Sequence, residues 1–170
     1  ACNYPEYYMT SNSPSIKKWY AVYTRPRAEK KVDEQLKEKG IEAYLPLRKV
    51  LRQWSDRKKW LEEPLFPSYI FVHIEPRNHL PVLEIQGVVG FVTFSGHPVS
   101  IPQKQVESVK TIVGSEESFE LSGHHFTKGM EVEVKAGPLK GTVGTIQEIK
   151  GKYKLVVSID AINQVILVTI

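Results

Sequence analysis

Apolar side chains change their spacing several times along this chain, and each change marks an element. Leu65, Phe66, Pro67, Ser68, Tyr69, Ile70, Phe71 and Val72 form a short run dominated by β-branched and aromatic residues, which predicts a strand apolar on both faces. Alternation puts Leu65, Pro67, Tyr69 and Phe71 on one face and Phe66, Ser68, Ile70 and Val72 on the other. Lys18 to Thr24 predicts an earlier strand, with Trp19, Ala21 and Tyr23 opposite Tyr20 and Val22. Between the two, Ala28, Val32 and Leu36 recur every four residues, so Arg27 to Lys39 reads as an amphipathic helix. Thr24 is its expected cap, Pro26 suits its first turn and Gly40 is its expected stop. Ile41 to Leu47 predicts a second strand, Asn78 to Ile85 a short helix with Pro81 in its first turn, and Val88 to Phe94 another apolar strand.

This order of strand, helix, strand, strand, helix, strand is the split βαβ pattern, whose outcome is an antiparallel sheet with helices packed on one face. Ser100 through Gln103 has the spacing of a capping box, with Pro102 in the first turn, and Val106, Val109 and Val113 then form a helical stripe. That third helix is expected to close a first domain spanning residues 16–113. Residues 1–15 have no periodicity and predict a flexible tail; residues 114–127, rich in Ser, Glu and His, predict a linker. From residue 128 to 170 every segment is short and strand-like: Val132 and Val134, Thr142 to Ile149, Tyr153 to Ile159 and Gln164 to Ile170. A chain of about forty such residues predicts a small β-barrel. Gly137, Pro138, Gly141 and Gly144 lie between its first strands, where glycine permits positive φ and close backbone approach; a plain tight turn explains them equally.

Composition narrows the function classes. With 41% hydrophobic and 25% charged residues, the 170-residue chain is an ordinary globular one, and its net charge of +4 permits nucleic acid as a partner without requiring it. No apolar run is long enough to span a bilayer, so no membrane partner is expected, and a cytoplasmic protein is the expectation. The single cysteine, Cys2, leaves no internal disulfide and no cysteine-based metal cluster; His73, His79 and His97 are scattered, and the adjacent His124 and His125 lack further ligands in sequence. Neither a phosphate loop nor a nucleophile elbow is present, so no enzyme, no catalytic residue, no metal and no cofactor are expected.

Charge is concentrated in one place. Arg48, Lys49, Arg52, Arg57, Lys58 and Lys59 are answered between them only by Asp56, and Trp54 and Trp60 interrupt the run around a Ser55–Asp56 turn. This predicts a basic β-hairpin. Two roles stand for its tryptophans, base stacking on nucleic acid or cover for the hairpin's own face, and two for its cations, phosphate contact or solvation. Arg25 and Arg27 sit at the positive end of the first helix, where cations are disfavoured; they either hold a phosphate there or point to water.

The segment Gly129 to Ile149, with Gly137, Pro138, Gly141 and Gly144, closely resembles the KOW motif. The preceding domain, opening on Trp19 and Tyr20 with Leu65 to Phe71 at its centre, resembles the amino-terminal NGN domain of the NusG family of transcription elongation factors. The resemblance covers about residues 18–170 and implies an α+β fold: an NGN domain with an antiparallel sheet flanked by helices, then a small SH3-like KOW β-barrel. The basic run Gln53 to Lys59 further resembles the specialised paralogues of the RfaH and capsule-operon (UpxY-like) type. The family implies a monomeric factor that grips the clamp helices of the β′ subunit of RNA polymerase and reduces pausing or termination. The positions that match the contact surface are Tyr23, Phe66, Pro67 and Tyr69, of which Tyr69 is favoured as contact and Phe66 stands at the edge. Arg25 and Arg27 match a region that contacts non-template DNA in specialised relatives, although Pro26 between them prevents a base-specific role from being carried over. Arg52, Arg57, Lys58 and Lys59 are the remaining nucleic-acid candidates. The KOW domain implies contact with a termination factor or a small-subunit ribosomal protein, with Leu139 as the named candidate, and Val156, Val157, Ile159, Val165, Ile166 and Val168 favour a stable barrel over helices. The alternative function is a ribosome- or RNA-binding KOW protein.

Overall fold

The computed structural model describes residues 16–123 and 129–170. The expected tail, with Cys2, and the pair His124 and His125 lie outside the described residues. The chain divides into two compact units, residues 1–100 and 101–170.

In the first unit, β1 (Lys18–Thr24) is followed by α1 (Glu29–Glu38), β2 (Glu42–Tyr44), β3 (Leu47–Gln53), β4 (Lys58–Pro64), β5 (Tyr69–Ile74), α2 (Leu80–Leu83) and β6 (Val88–Phe91). The short strands β7 (Thr93–Phe94), β8 (His97–Pro98) and β9 (Ser100–Ile101) complete it. Along the main sheet's path β2-β5-β1-β6 the three strand pairs are antiparallel. Tyr20, Val22, Ile70, Val72 and Ile74 share one face and pack with Val32 and Leu36 of α1 and with Val82 and Ile85, which is the expected helix-covered core. Apolar burial on this face is the main stabilising term, at about 25 cal/mol per Å².

Helix α1 is shorter at its start than its periodicity predicts. Pro26 and Arg27 form a turn closed by the Ala28 N–H on the Arg25 carbonyl at 3.1 Å, with Arg27 at φ 64°. That is the geometry of a type II turn, with proline at its second position. Consequently Thr24 stays at the end of β1, its hydroxyl on the Arg25 carbonyl, and caps nothing; Ala28 is the N-cap. At the other end the expected stop holds: Gly40 takes φ 73° and the Ile41 N–H reaches back to the Leu36 carbonyl at 2.9 Å. The predicted central strand is likewise shorter. Leu65 to Ser68 is a bend and turn, with Ser68 at φ 66°, and pairing starts only at Tyr69. The apolar run Val88 to Phe94 also breaks, because Phe94 pairs with His97 in a separate small hairpin around Ser95 and Gly96.

The second unit begins with α3 (Gln103–Gly114) and continues with β10 (Phe119–Ser122), β11 (Met130–Glu133), β12 (Val143–Ile149), β13 (Lys152–Ile159) and β14 (Gln164–Thr169). These strands form one antiparallel sheet in the order β10-β14-β13-β12-β11. Helix α3, expected to finish the first domain, groups instead with these strands and lies beside β12 and β13. Its buried stripe is Val106, Val109 and Ile112, and buried Ser108 accepts the Val143 N–H on its hydroxyl at 3.1 Å. Ile112 therefore takes the inward place expected of Val113, three residues on from Val109. The capping box does not form: Pro102 is the N-cap, with no side-chain bond. Part of the expected linker is ordered as β10, paired with β14. Both faces of β13 and β14 are buried, through Leu155, Val156, Val157, Val165, Ile166 and Val168. Gly144 is obligatory by contact, since a Cβ there would lie 2.4 Å from the Val156 carbonyl oxygen.

Candidate protein and nucleic-acid interface

The sheet face turned away from α1 carries the aromatic surface. Tyr23 on β1 stands directly across from Tyr69 on β5, and their rings meet at 5.0 Å between centroids, tilted by 41°. Tyr23 is exposed and Tyr69 half-buried. Burial, and then the hydrogen bond with Tyr23, push the Tyr69 phenol up to about 12, so it is a neutral donor throughout the physiological range. The pair thus offers an apolar floor with polar tips.

Beneath it the packing is dense. Phe66, expected at the edge of the contact surface, is buried at 3% exposure, with its ring edge-on to Phe71 at 6.2 Å. The turn that opens before β5 causes this, because it frees Phe66 from pleat alternation and folds it inward beside Phe71. Pro67 stays exposed at the tip of the same turn. Sequence reasoning missed the residue that fixes this turn. Glu29, in the first turn of α1, is 5% exposed and accepts the Ser68 N–H at 2.8 Å. A carboxylate here suits the positive end of the helix, and it locks the left-handed Ser68 in place. Its only sequence signal was a carboxylate two residues after the second of two helix-start cations. A hollow of about 470 Å³ adjoins, lined among others by Pro26, Arg27, Lys30, Glu63, Pro67 and Ser68. Arg25 and Arg27 are both exposed near this edge. Tyr23, Pro67, Tyr69, Arg25 and Arg27 are thereby grouped around the junction of β1, α1 and β5.

The predicted basic hairpin is β3 paired with β4, closed by the Trp54 N–H on the Arg57 carbonyl at 2.7 Å. Its cations are not equivalent. Arg52 is held by Glu63 in a two-pronged pair, Nε to Oε1 and Nη2 to Oε2, each 2.8 Å, which drives the Glu63 pKa down. The Arg57 guanidinium carbon lies 5.2 Å from the centre of the Trp54 ring. Lys58 and Lys59 are exposed. Leu139, named for a partner contact in the second unit, is only 8% exposed, so its side chain is packed inside rather than offered. It lies in the turn where the Thr142 N–H bonds the Leu139 carbonyl at 3.0 Å.

An antiparallel α+β module with an exposed aromatic surface, followed by a small all-antiparallel β module, is the NGN-plus-KOW architecture of a transcription factor. The model of the family described as transcription termination factor nusG matches residues 17–110. The transcription termination/antitermination protein NusG of Staphylococcus carnosus is 30% identical over 166 residues, covering 88% of this chain and 90% of that protein. Its counterpart in Chlamydia pneumoniae is 29% identical over 156 residues, covering 84% and 85%. Thermotoga maritima NusG, solved in a study of its domain interaction, shares 27% identity at a TM-score of 0.50 and covers 89% of this chain and 92% of its own. The chain belongs to the NusG family. Among the described residues, no group of histidines, cysteines and carboxylates is placed to hold a metal ion, and no helix is long and apolar enough to cross a membrane.

Proposed function

We propose that this chain is a transcription elongation and antitermination factor that binds the β′ clamp helices of RNA polymerase through Tyr23, Tyr69 and Pro67 and reduces pausing or termination. The observation that carries the reading is the Tyr23–Tyr69 pair: aromatic and solvent-accessible, on a face not taken by the helices, over a packed floor. Aromatic anchors on a rigid base are what a protein interface concentrates its energy on. Phe66 acts from below, by holding Phe71 and the turn that carries Pro67. Arg25 and Arg27 contact the non-template strand, and the exposed hairpin cations add to that contact. The second domain recruits a further factor, a termination factor or a small-subunit ribosomal protein, through surface residues other than Leu139. The basic hairpin supports a specialised role at particular operons, such as those for capsule polysaccharide.

The test is the affinity of the full chain for core RNA polymerase, with Tyr69→Ala and Tyr69→Phe alongside. Loss of binding by at least about tenfold in Tyr69→Ala, with Tyr69→Phe intermediate and all three chains equally folded, is the expected result. Undiminished binding by Tyr69→Ala would move the contact elsewhere. No polymerase binding by the unaltered chain, with cosedimentation on ribosomes, would favour the ribosome- or RNA-binding alternative.

A further inference from the structure

The β3–β4 hairpin carries apolar side chains that neither cover its own face nor enter a core. Cross-strand partners point the same way, so Lys49 with Glu62, Leu51 with Trp60, and Gln53 with Lys58 form one face. On it Trp60 is 65% exposed and Leu51 46% exposed. Among the described residues no aromatic ring or cation covers Trp60, whereas Trp54 is covered by Arg57. Beside Trp60 is a shallow hollow of about 450 Å³, lined by Lys49, Trp60, Leu61 and Glu62.

We infer that this face is a stacking site for an unpaired nucleobase of single-stranded nucleic acid. Trp60 supplies the π-surface and Leu51 an apolar edge. Lys49 offers donors to ring nitrogens and carbonyls, and Glu62 accepts from an exocyclic amine. Lys58 lies on the same face of the same strand, two residues from Trp60, where the phosphate of a neighbouring nucleotide would run. Charge chooses the occupant. A protein-facing patch is depleted in lysine and glutamate at its centre, whereas a basic ribbon with a bare aromatic suits a polyanion that carries rings. An unpaired base is required because a base within a duplex already has its faces covered. The inference rests on the nucleic-acid part of the proposed function and not on polymerase binding.

The experiment measures fluorescence anisotropy of a labelled single-stranded oligonucleotide of about 12 residues against the full chain, without polymerase, across a salt series. Trp60→Ala is expected to weaken binding about tenfold or more and Trp60→Phe by much less, because a base–aromatic stack is sequence-tolerant and survives in part on a smaller ring. Lys58→Ala should flatten the salt dependence by about 0.7 log units per decade for the one lost contact. A blunt duplex of the same sequence should be insensitive to Trp60. Equal binding by Trp60→Ala and the unaltered chain overturns the inference, as does equal loss on the duplex. A chain that binds polymerase but no oligonucleotide also overturns it, while leaving the clamp contact intact.

Discussion

Two antiparallel strand pairs of similar length sit in the first unit and do opposite things. In β1–β5, Tyr20, Val22, Ile70 and Val72 are buried on one face and Ala21 and Phe71 on the other. In β3–β4 none of the residues is buried, although Val50, Leu51, Trp60 and Leu61 are as apolar as the residues of the core. Hydrophobicity alone therefore does not separate a structural strand from a presenting one. Charge at the intervening positions does: β1 carries one cation, Lys18, at its outer end, while β3 sets Arg48, Lys49 and Arg52 among its apolar residues and β4 flanks Trp60 and Leu61 with Lys58, Lys59, Glu62 and Glu63.

The largest break in this comparison comes from deleting one aromatic on each side of it. Phe71→Ala empties a site that is 1% exposed and should cost about 3 to 5 kcal/mol in urea unfolding. It also removes the floor under Phe66 and Tyr69, so polymerase affinity should fall with stability. Trp60→Ala should change unfolding by no more than about 0.5 kcal/mol, because its ring is already in water. Comparable losses in the two variants would mean that the hairpin is part of the core.

How much of this was legible in the sequence follows the same division. The α1 stripe, the Gly40 stop, the hairpin and the strands of the second unit could be read because each rests on local periodicity or turn chemistry. Family resemblance put Tyr69 and Phe66 on the contact surface; pleat alternation then favoured Tyr69, and the expected distortion of the strand at Pro67 left Phe66 at the edge. The structure keeps Tyr69 accessible but buries Phe66, because Pro67 and Ser68 make a turn where a strand was expected. The partnership of Glu29 with Ser68 spans thirty-nine residues and has no local signature. The grouping of α3 was equally invisible: its stripe states that the helix packs, but not against which sheet.

A smaller effect separates the two regions by pH. The phenols of Tyr44 and Tyr69, both on or beside the buried sheet, are pushed up to about 12, chiefly by burial. Above about 10 the unfolded chain ionises these groups while the folded chain still resists, so stability should fall as pH rises from 10 to 12. His79 works from the acid side. Burial holds its pKa below the ordinary value of 6.5, opposed by its bond to the Pro76 carbonyl, so its contribution is present above that value and is lost as pH falls below it. Thermal unfolding should therefore show a plateau between about pH 6.5 and 10. Tyr69→Phe should soften the alkaline limb, and a limb unchanged in Tyr69→Phe would mean that the Tyr69 phenol ionises at its ordinary value. The hairpin contributes to neither limb through buried groups.

The smallest effect is confined to the hairpin and concerns which of its cations are available. Arg52 spends both prongs on Glu63, so in the free protein it is a structural cation, while Lys58 and Lys59 are open to a ligand. Glu63→Gln keeps the shape and removes the charge. Arg52 shares with Lys59 the face opposite Trp60; freed in this way, it should make an additional phosphate contact where the strand crosses the hairpin edge, steepening the salt dependence of single-strand binding by about 0.7 log units per decade. The melting temperature should not move measurably, because both partners face solvent and exposed pairs contribute little. A steeper slope at constant stability would show that Glu63 sets the number of cations the hairpin presents. An unchanged slope would show that the strand stays on the Trp60 face, leaving Lys58 as the hairpin-tip cation that meets it.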